Sequence, residues 1–231
     1  MFKLMRSKLV FVLFFIVLGI VALQIPINTL AGSKVKFTLF DLLAPISGAF
    51  LGTPLGIISV LAMQFVNLVT HGFSGVNTSS PLTLIATLRF LPLLVGVWFF
   101  AKREWRLLFI PAAAIIVFNF HPIGRTVWFY SLFWIIPFLV WPLRDRFLIA
   151  RSLGATMTAH AAGGAVWIWA FNLPANIWVS LIPVVILERT IFALGISASY
   201  ILMNNVLAYL SLKKLIPKGI SFDKKYLLVT R

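Results

Sequence analysis

The sequence predicts an all-α protein: a polytopic membrane helical bundle of six to eight transmembrane helices, both termini cytoplasmic. Three observations predict it. The chain is 61% hydrophobic, with a mean hydropathy of +1.03 and five acidic residues in 231, which leaves too little polar surface for a soluble globule. Apolar runs recur at lengths near the roughly 20 residues that a helix needs to cross a bilayer core. The cations divide unevenly among the gaps between those runs.

Taking alternate gaps from the N-terminus, positions 1–8, 102–106, 144–151 and 213–231 hold fifteen Lys and Arg. The opposite gaps hold three, Lys34, Lys36 and Arg125. That asymmetry places the richer set in the cytoplasm of a multi-pass protein of the inner (plasma) membrane. The net charge of +15 might suggest nucleic acid, but the cations sit in twos and threes at run ends and form no stripe. Orientation in the bilayer accounts for them, so no nucleic-acid partner is expected; membrane lipid is. Zero Cys removes disulfides and thiolate chemistry.

The first run, Leu9 to Ile25, follows Lys3, Arg6 and Lys8. It is long for a leader and further runs follow, so it reads as a retained first span. Asp41 to Leu51 is short, with Asp41 placed to cap its start. Gly52-Thr53-Pro54-Leu55-Gly56 reads as a tight turn into Leu55 to Thr70. Then come Leu82 to Ala101, Leu107 to Phe120, Thr126 to Trp141, Ser152 to Phe171 and Trp178 to Leu210. Pro111, Pro122 and Pro137 blur the fifth and sixth. The last exceeds a bilayer's need, predicting a bend at Pro183 or an interfacial start. The outer connections Pro26 to Phe40 and His71 to Pro81 are polar enough to fold back over the outer mouth. Residues 1–210 form a single transmembrane domain, and 211–231 a basic cytoplasmic tail expected to lie against anionic lipid.

Gln24-Ile25-Pro26-Ile27-Asn28, the run Phe37 to Pro45, Gly48 and Gly52 to Gly56 resemble the opening of substrate-binding S components of energy-coupling-factor (ECF) transporters. Ile182-Pro183, the long last helix with Tyr200 and Tyr209, and Lys213-Lys214 resemble their far end. The resemblance covers about half the chain. It implies a subunit that captures a vitamin or precursor from outside, without ATP hydrolysis of its own, and partners in a transmembrane coupling subunit with separate ATPase subunits. Two features depart from the family. Leu107 to Trp141 is an added hairpin beyond the usual six spans, and the first helix offers only Gly19 and Ala22 where a small-residue docking stripe is usual. A better stripe, Ala155, Ala159 and Gly163, lies on the seventh span; internal packing is its preferred reading.

Polar groups inside a bilayer cost about 2.5 to 3.5 kcal/mol each on insertion scales, so each needs a partner, a cavity or a ligand. Gln64, Asn67 and His71 share one face of the third span by their i, i+3, i+7 spacing. Arg89 falls roughly 10 Å below the outer surface and Glu188 at about 15 Å, near the midplane, by helical rise. The expected arrangement pairs Arg89 with Glu188 and points Arg189 elsewhere. His160, Gly164, Trp167 and Phe171 share a face of the seventh span. A mostly apolar pocket with a few placed polar groups suits a small molecule. Gln64, Asn67, His71, Arg89, His160, Trp167 and Glu188 are therefore the candidate substrate-binding residues, although structural pairing competes for each. Trp98, Trp105, Trp128, Trp141 and Trp178 read as interfacial anchors.

No catalytic or metal-binding residue and no cofactor is expected. Gly72-Phe73-Ser74-Gly75 with His160 superficially resembles the motifs of rhomboid intramembrane serine proteases, but a polar segment follows the serine where the motif requires an apolar helix. No phosphate-binding Gly-rich loop is present, and the three His lack metal spacing. A stand-alone secondary transporter, which ordinarily shows two related halves, is the other alternative.

Overall fold

The computed structural model describes residues 2–29, 36–71, 90–216 and 222–228. Helix dominates it. α1 (Phe2–Leu23) leads into a two-stranded antiparallel ribbon, β1 (Pro26–Thr29) and β2 (Lys36–Thr38), with Thr29 opposite Lys36. The sequence reading foresaw a polar connection here but not a ribbon. Pro26 opens its strand, where a missing N–H is tolerated.

α2 (Leu39–Leu43) starts on a capping box: the Thr38 backbone N–H donates to Asp41 Oδ2 at 2.7 Å. Asp41 thus caps the helix as expected, from its third position. A 3-10 turn (Ala44–Ile46) and α3 (Ser47–Leu51) continue the segment to Gly52, whose φ of +83° needs glycine. α4 (Thr53–His71) then folds back. A Cβ on Gly56 would lie 2.5 Å from Gly48 Cα, so the turn brings two backbones into direct contact.

α5 (Phe90–Ala101) ends without a glycine, and two arginines from a distant turn satisfy its last carbonyls. Arg144 donates to Lys102 O at 2.6 Å and Phe99 O at 2.8 Å, and Arg151 to Phe100 O at 2.6 Å. Arg144 is buried, with the rings of Phe99 and Trp141 against its guanidinium. Burial, and then the Arg151 charge, hold its pKa down at about 10, so it stays cationic at neutral pH.

The hairpin follows: a 3-10 turn (Trp105–Leu108), α6 (Phe109–Phe120) and α7 (Pro122–Thr126), then a 3-10 stretch of eight residues (Trp128–Ile135), α8 (Ile136–Val140) and a 3-10 turn (Trp141–Leu143). Pro111, Pro122 and Pro137 sit in the first turns of α6, α7 and α8, where a helix loses no bond to them, and Pro142 in the closing 3-10 turn. α9 (Leu148–Phe171) is the hub, packing on α5, α6, α8 and α10. Gly96 approaches Ala159, and Gly163 approaches Pro92, so the Ala155, Ala159, Gly163 stripe serves packing on α5. Left-handed Asn172 (φ 47°) closes α9.

α10 (Ala175–Leu212) runs 38 residues as one unbroken helix with Pro183 inside it. Among the described residues it is the one helix long and apolar enough to cross a membrane by length and composition, and several shorter apolar helices of 10–17 residues accompany it. Two hydrophobic cores form. One centres on Phe40, Ile46, Phe99 and Phe100, the other on Phe118, Tyr130, Trp134 and Trp178. Trp178, expected at an interface, is buried in the second, its ring edge-on to Phe118 and Tyr130 and its Nε1–H donating to Leu173 O at 3.2 Å. A ring so well partnered inside has no reason to turn outward. Trp105 and Trp128 are exposed, as an anchor requires.

The described part of the tail, residues 222–228, is held against α10. Two adjacent amides on α10 seize its backbone: Asp223 N–H donates to Asn204 Oδ1 at 2.6 Å, Leu228 N–H to Asn205 Oδ1 at 2.8 Å, and Asn205 Nδ2 to Tyr226 O at 2.9 Å. The Tyr226 ring meets Tyr200 edge-on, and Lys225 Nζ donates to the carbonyls of Asp145 and Arg146. Arg103 pairs with Asp145 at 2.7 Å. Segments 102–106, 144–151 and 222–228 are therefore gathered at one end. Replacing Asn205 by Ala removes two tail bonds, each worth about 1 kcal/mol, and should raise tryptic cleavage at Lys224 and Lys225 by roughly tenfold or more. Limited proteolysis of the purified chain checks this; unchanged cleavage would mean that the amide does not hold the tail.

Candidate functional site

The polar interior is built on α9 with a period of four. Ser152, Thr156 and His160 are spaced i, i+4, i+8, which puts them on one helix face at rises of about 6 Å. α10 runs antiparallel beside it and supplies partners in reverse order. Ser197 Oγ lies 2.8 Å from Ser152 Oγ, and one layer on, Arg189 Nη1 donates to Thr156 Oγ1 at 3.2 Å.

Arg189 also donates through Nη2 to Glu188 Oε2 at 3.4 Å, and its guanidinium lies 4.6 Å from the Phe192 ring centre. The expectation that Arg189 would point away from Glu188 is thus overturned. Sequence neighbours splay by about 100° at their Cα atoms, but both side chains are long enough to curl back together where burial leaves no better partner. The pair is almost fully buried, and among the described residues Glu188 Oε1 has no hydrogen-bond partner. Arg89, expected to pair with Glu188, lies outside the described residues.

The third layer comes from the hairpin. Trp134 Nε1 donates to His160 Nδ1 at 3.0 Å, and Tyr130 Oη lies 3.2 Å from His160 Nε2. An indole N–H can only donate, so Nδ1 carries no proton and the neutral imidazole must carry its hydrogen on Nε2. Nε2–H then donates to Tyr130 Oη, which leaves the phenol hydrogen without a partner. Tyr130 and Trp134 are fully enclosed, and Gly164 makes room for the indole: a Cβ there would meet Trp134 Cζ2 at 2.4 Å. Asp41, Tyr130 and His160 all lie within electrostatic reach of the Arg189 charge.

Of the seven candidate residues, His160 and Glu188 are brought to adjoining faces of α9 and α10. Trp167 lies two turns beyond His160, half-buried, its ring 5.0 Å from that of Phe171. Gln64 and Asn67 are half-buried on α4, which packs chiefly on α1, α3 and α5 and so stands apart from the α9–α10 layers. The single convergent cluster expected from depth alone is therefore divided, because equal depth does not put two helices side by side. His71 ends α4 in the described backbone, and Arg89 and Ser74 lie outside the described residues. A shallow hollow of about 260 Å³, lined by Ile116, Asn119, Phe120 and Arg125, touches none of the seven. Among the described residues no group of three or more His, Asp or Glu is arranged to hold a metal ion.

Sequence reasoning missed Tyr130, Trp134, Thr156, Ser152 and Ser197. The polar i, i+4, i+8 ladder leading to His160 was the available signal. Comparison of the chain with protein-family models, curated proteins and solved structures gives no match.

The tautomer is testable directly. Nitrogen-15 NMR of labelled imidazole should report a neutral His160 protonated on Nε2, and Trp134→Phe should release the ring to populate the Nδ1-protonated form. An Nδ1–H signal in the unaltered protein would contradict the relay.

Proposed function

We propose that the chain is a multi-pass protein of the inner (plasma) membrane, with six to eight transmembrane helices and both termini cytoplasmic, that captures a small molecule from the outer side. Its role is that of an S-component-like subunit of an ECF-type importer, served by a separate coupling subunit and separate ATPases. The observation that carries the capture reading is the buried α9–α10 polar ladder, ending in a carboxylate oxygen and a phenol hydrogen that are unpaired among the described residues. Groups this costly inside an apolar bundle mark functional sites by default.

The membrane reading draws on the charge asymmetry and on two features of the fold. Leu13, Val17 and Val21 present an outward apolar row on α1, as do Ile186, Leu194 and Leu202 on α10. Three of the four cation-rich segments assigned to the cytoplasm meet at one end of the bundle. The importer role rests on the sequence resemblance at Gln24 to Gly56 and near Pro183. The hairpin, which departs from that family, supplies Tyr130 and Trp134, so the pocket proposed here is built partly from an addition to the pattern. With both His160 nitrogens engaged, the imidazole is poorly placed to serve as a base for Ser74.

The absence of Cys makes the topology simple to test. Single-cysteine variants Arg103→Cys and Lys225→Cys should resist a membrane-impermeant maleimide on intact cells, whereas Arg125→Cys should react. The purified chain should retain a small metabolite visible by mass spectrometry, reduced about fivefold in Trp167→Ala, the loss expected for one stacking contact of roughly 1 kcal/mol. Reversed labelling would defeat the orientation, and a chain that retains nothing from its host would defeat the capture reading.

A further inference from the structure

The third and second layers of the ladder carry complementary deficits. Trp134 fixes His160 as an Nε2–H donor, so Tyr130 Oη accepts and its own hydrogen is unspent. One turn along α9, Thr156 accepts from Arg189, which holds Glu188 through Oε2, so among the described residues Oε1 is an unspent acceptor. Tyr130 and Glu188 are 2% and 3% exposed, so neither deficit is met by bulk solvent. Val185, one turn before Glu188 and Arg189 on α10, packs in the same core as Tyr130, which brings the carboxylate's helix against the phenol. Two buried polar groups of opposite sense in one compartment call for something that accepts from one and donates to the other.

We infer that Tyr130 and Glu188 together bind one hydroxyl group, which accepts a hydrogen bond from Tyr130 Oη–H and donates its own hydrogen to Glu188 Oε1. The hydroxyl belongs either to a captured polar solute or to a water molecule. A hydroxyl fits because it gives and takes one bond through a single atom. An ammonium cannot accept from the phenol, and a carboxylate or ether cannot donate to Glu188. Arg189 already neutralises Glu188, so the guest group is uncharged. Trp134 and His160 act as positioning residues: they never touch the guest but dictate which way the phenol hydrogen points. The solute source rests on the capture reading above, and the water source does not.

The test uses the full chain in lipid nanodiscs, with Tyr130→Phe, which keeps the ring and deletes the hydroxyl, and Trp134→Phe, which frees His160 to accept from Tyr130. Extracted small molecules are counted by mass spectrometry, and bound water is read by infrared difference spectra between ordinary and oxygen-18 water. A stoichiometric hydroxyl-bearing solute in the unaltered protein, lowered about tenfold in both variants, supports the site with a solute source, tenfold being the usual worth of one buried hydrogen bond. An oxygen-18-sensitive hydroxyl band without a solute, lost in Tyr130→Phe, supports the site with a water source and removes this position from the capture reading. Retention of a solute undiminished in both variants overturns the inference while leaving capture intact. Neither a solute nor an isotope-sensitive band overturns it outright.

Discussion

Two opposite charges sit side by side on α10, and neither Glu188 nor Arg189 could be buried alone. Taking an ion out of water costs several kcal/mol even after relaxation, and the cost is recovered only when a partner and further hydrogen bonds meet it. Glu188 supplies the charge and Thr156 the further bond, which ties Arg189 to α9 at one register. Once that register is set, Ser197 must fall beside Ser152, and His160 one turn on toward the hairpin. The ladder thus works as a ruler between two helices whose remaining contact is apolar and would tolerate sliding.

The hairpin gives this ruler its far end. Its returning strand is an eight-residue 3-10 stretch, a tight helix seldom sustained so long, in which residues three apart stand above one another. Tyr130 and Trp134 are four apart and reach the two nitrogens of one imidazole, with Phe118, Trp178 and Ile168 closing around them. A chain lacking residues 107–141 would leave His160 without either partner. The relation between hairpin and ladder is therefore one of construction: the hairpin completes the polar layer that α9 begins.

Much of this was legible in the sequence. Apolar runs and their turns predicted nearly every helix, the Gly52 to Gly56 turn, and the capping role of Asp41, since these depend on local period and backbone chemistry alone. Glu188 and His160 stood out as costly groups in apolar runs. Their partners did not, for a physical reason: insertion cost identifies which groups need a partner, and depth narrows the choice, but lateral adjacency is set by packing. Gln64 and Asn67 share a plausible depth with Glu188 and stand on a helix that packs elsewhere. Tyr130 and Trp134 looked like ordinary aromatic filling because a phenol and an indole declare their polar ends only when something faces them. The docking of residues 222–228 on α10 was not foreseen, because their basic charge drew attention away from a backbone that two amides could hold.

The claim on which this account most depends is that Glu188 and Arg189 are a mutually dependent pair fixing α9 against α10. A double-mutant cycle with Glu188→Leu and Arg189→Met, read as unfolding free energy of the full chain in one fixed detergent, tests it directly. The account predicts that each single replacement costs about 3 to 5 kcal/mol, while the double replacement, which leaves no buried charge, costs far less than their sum and lies near the unaltered protein. Single costs that simply add, or that are negligible, would contradict it.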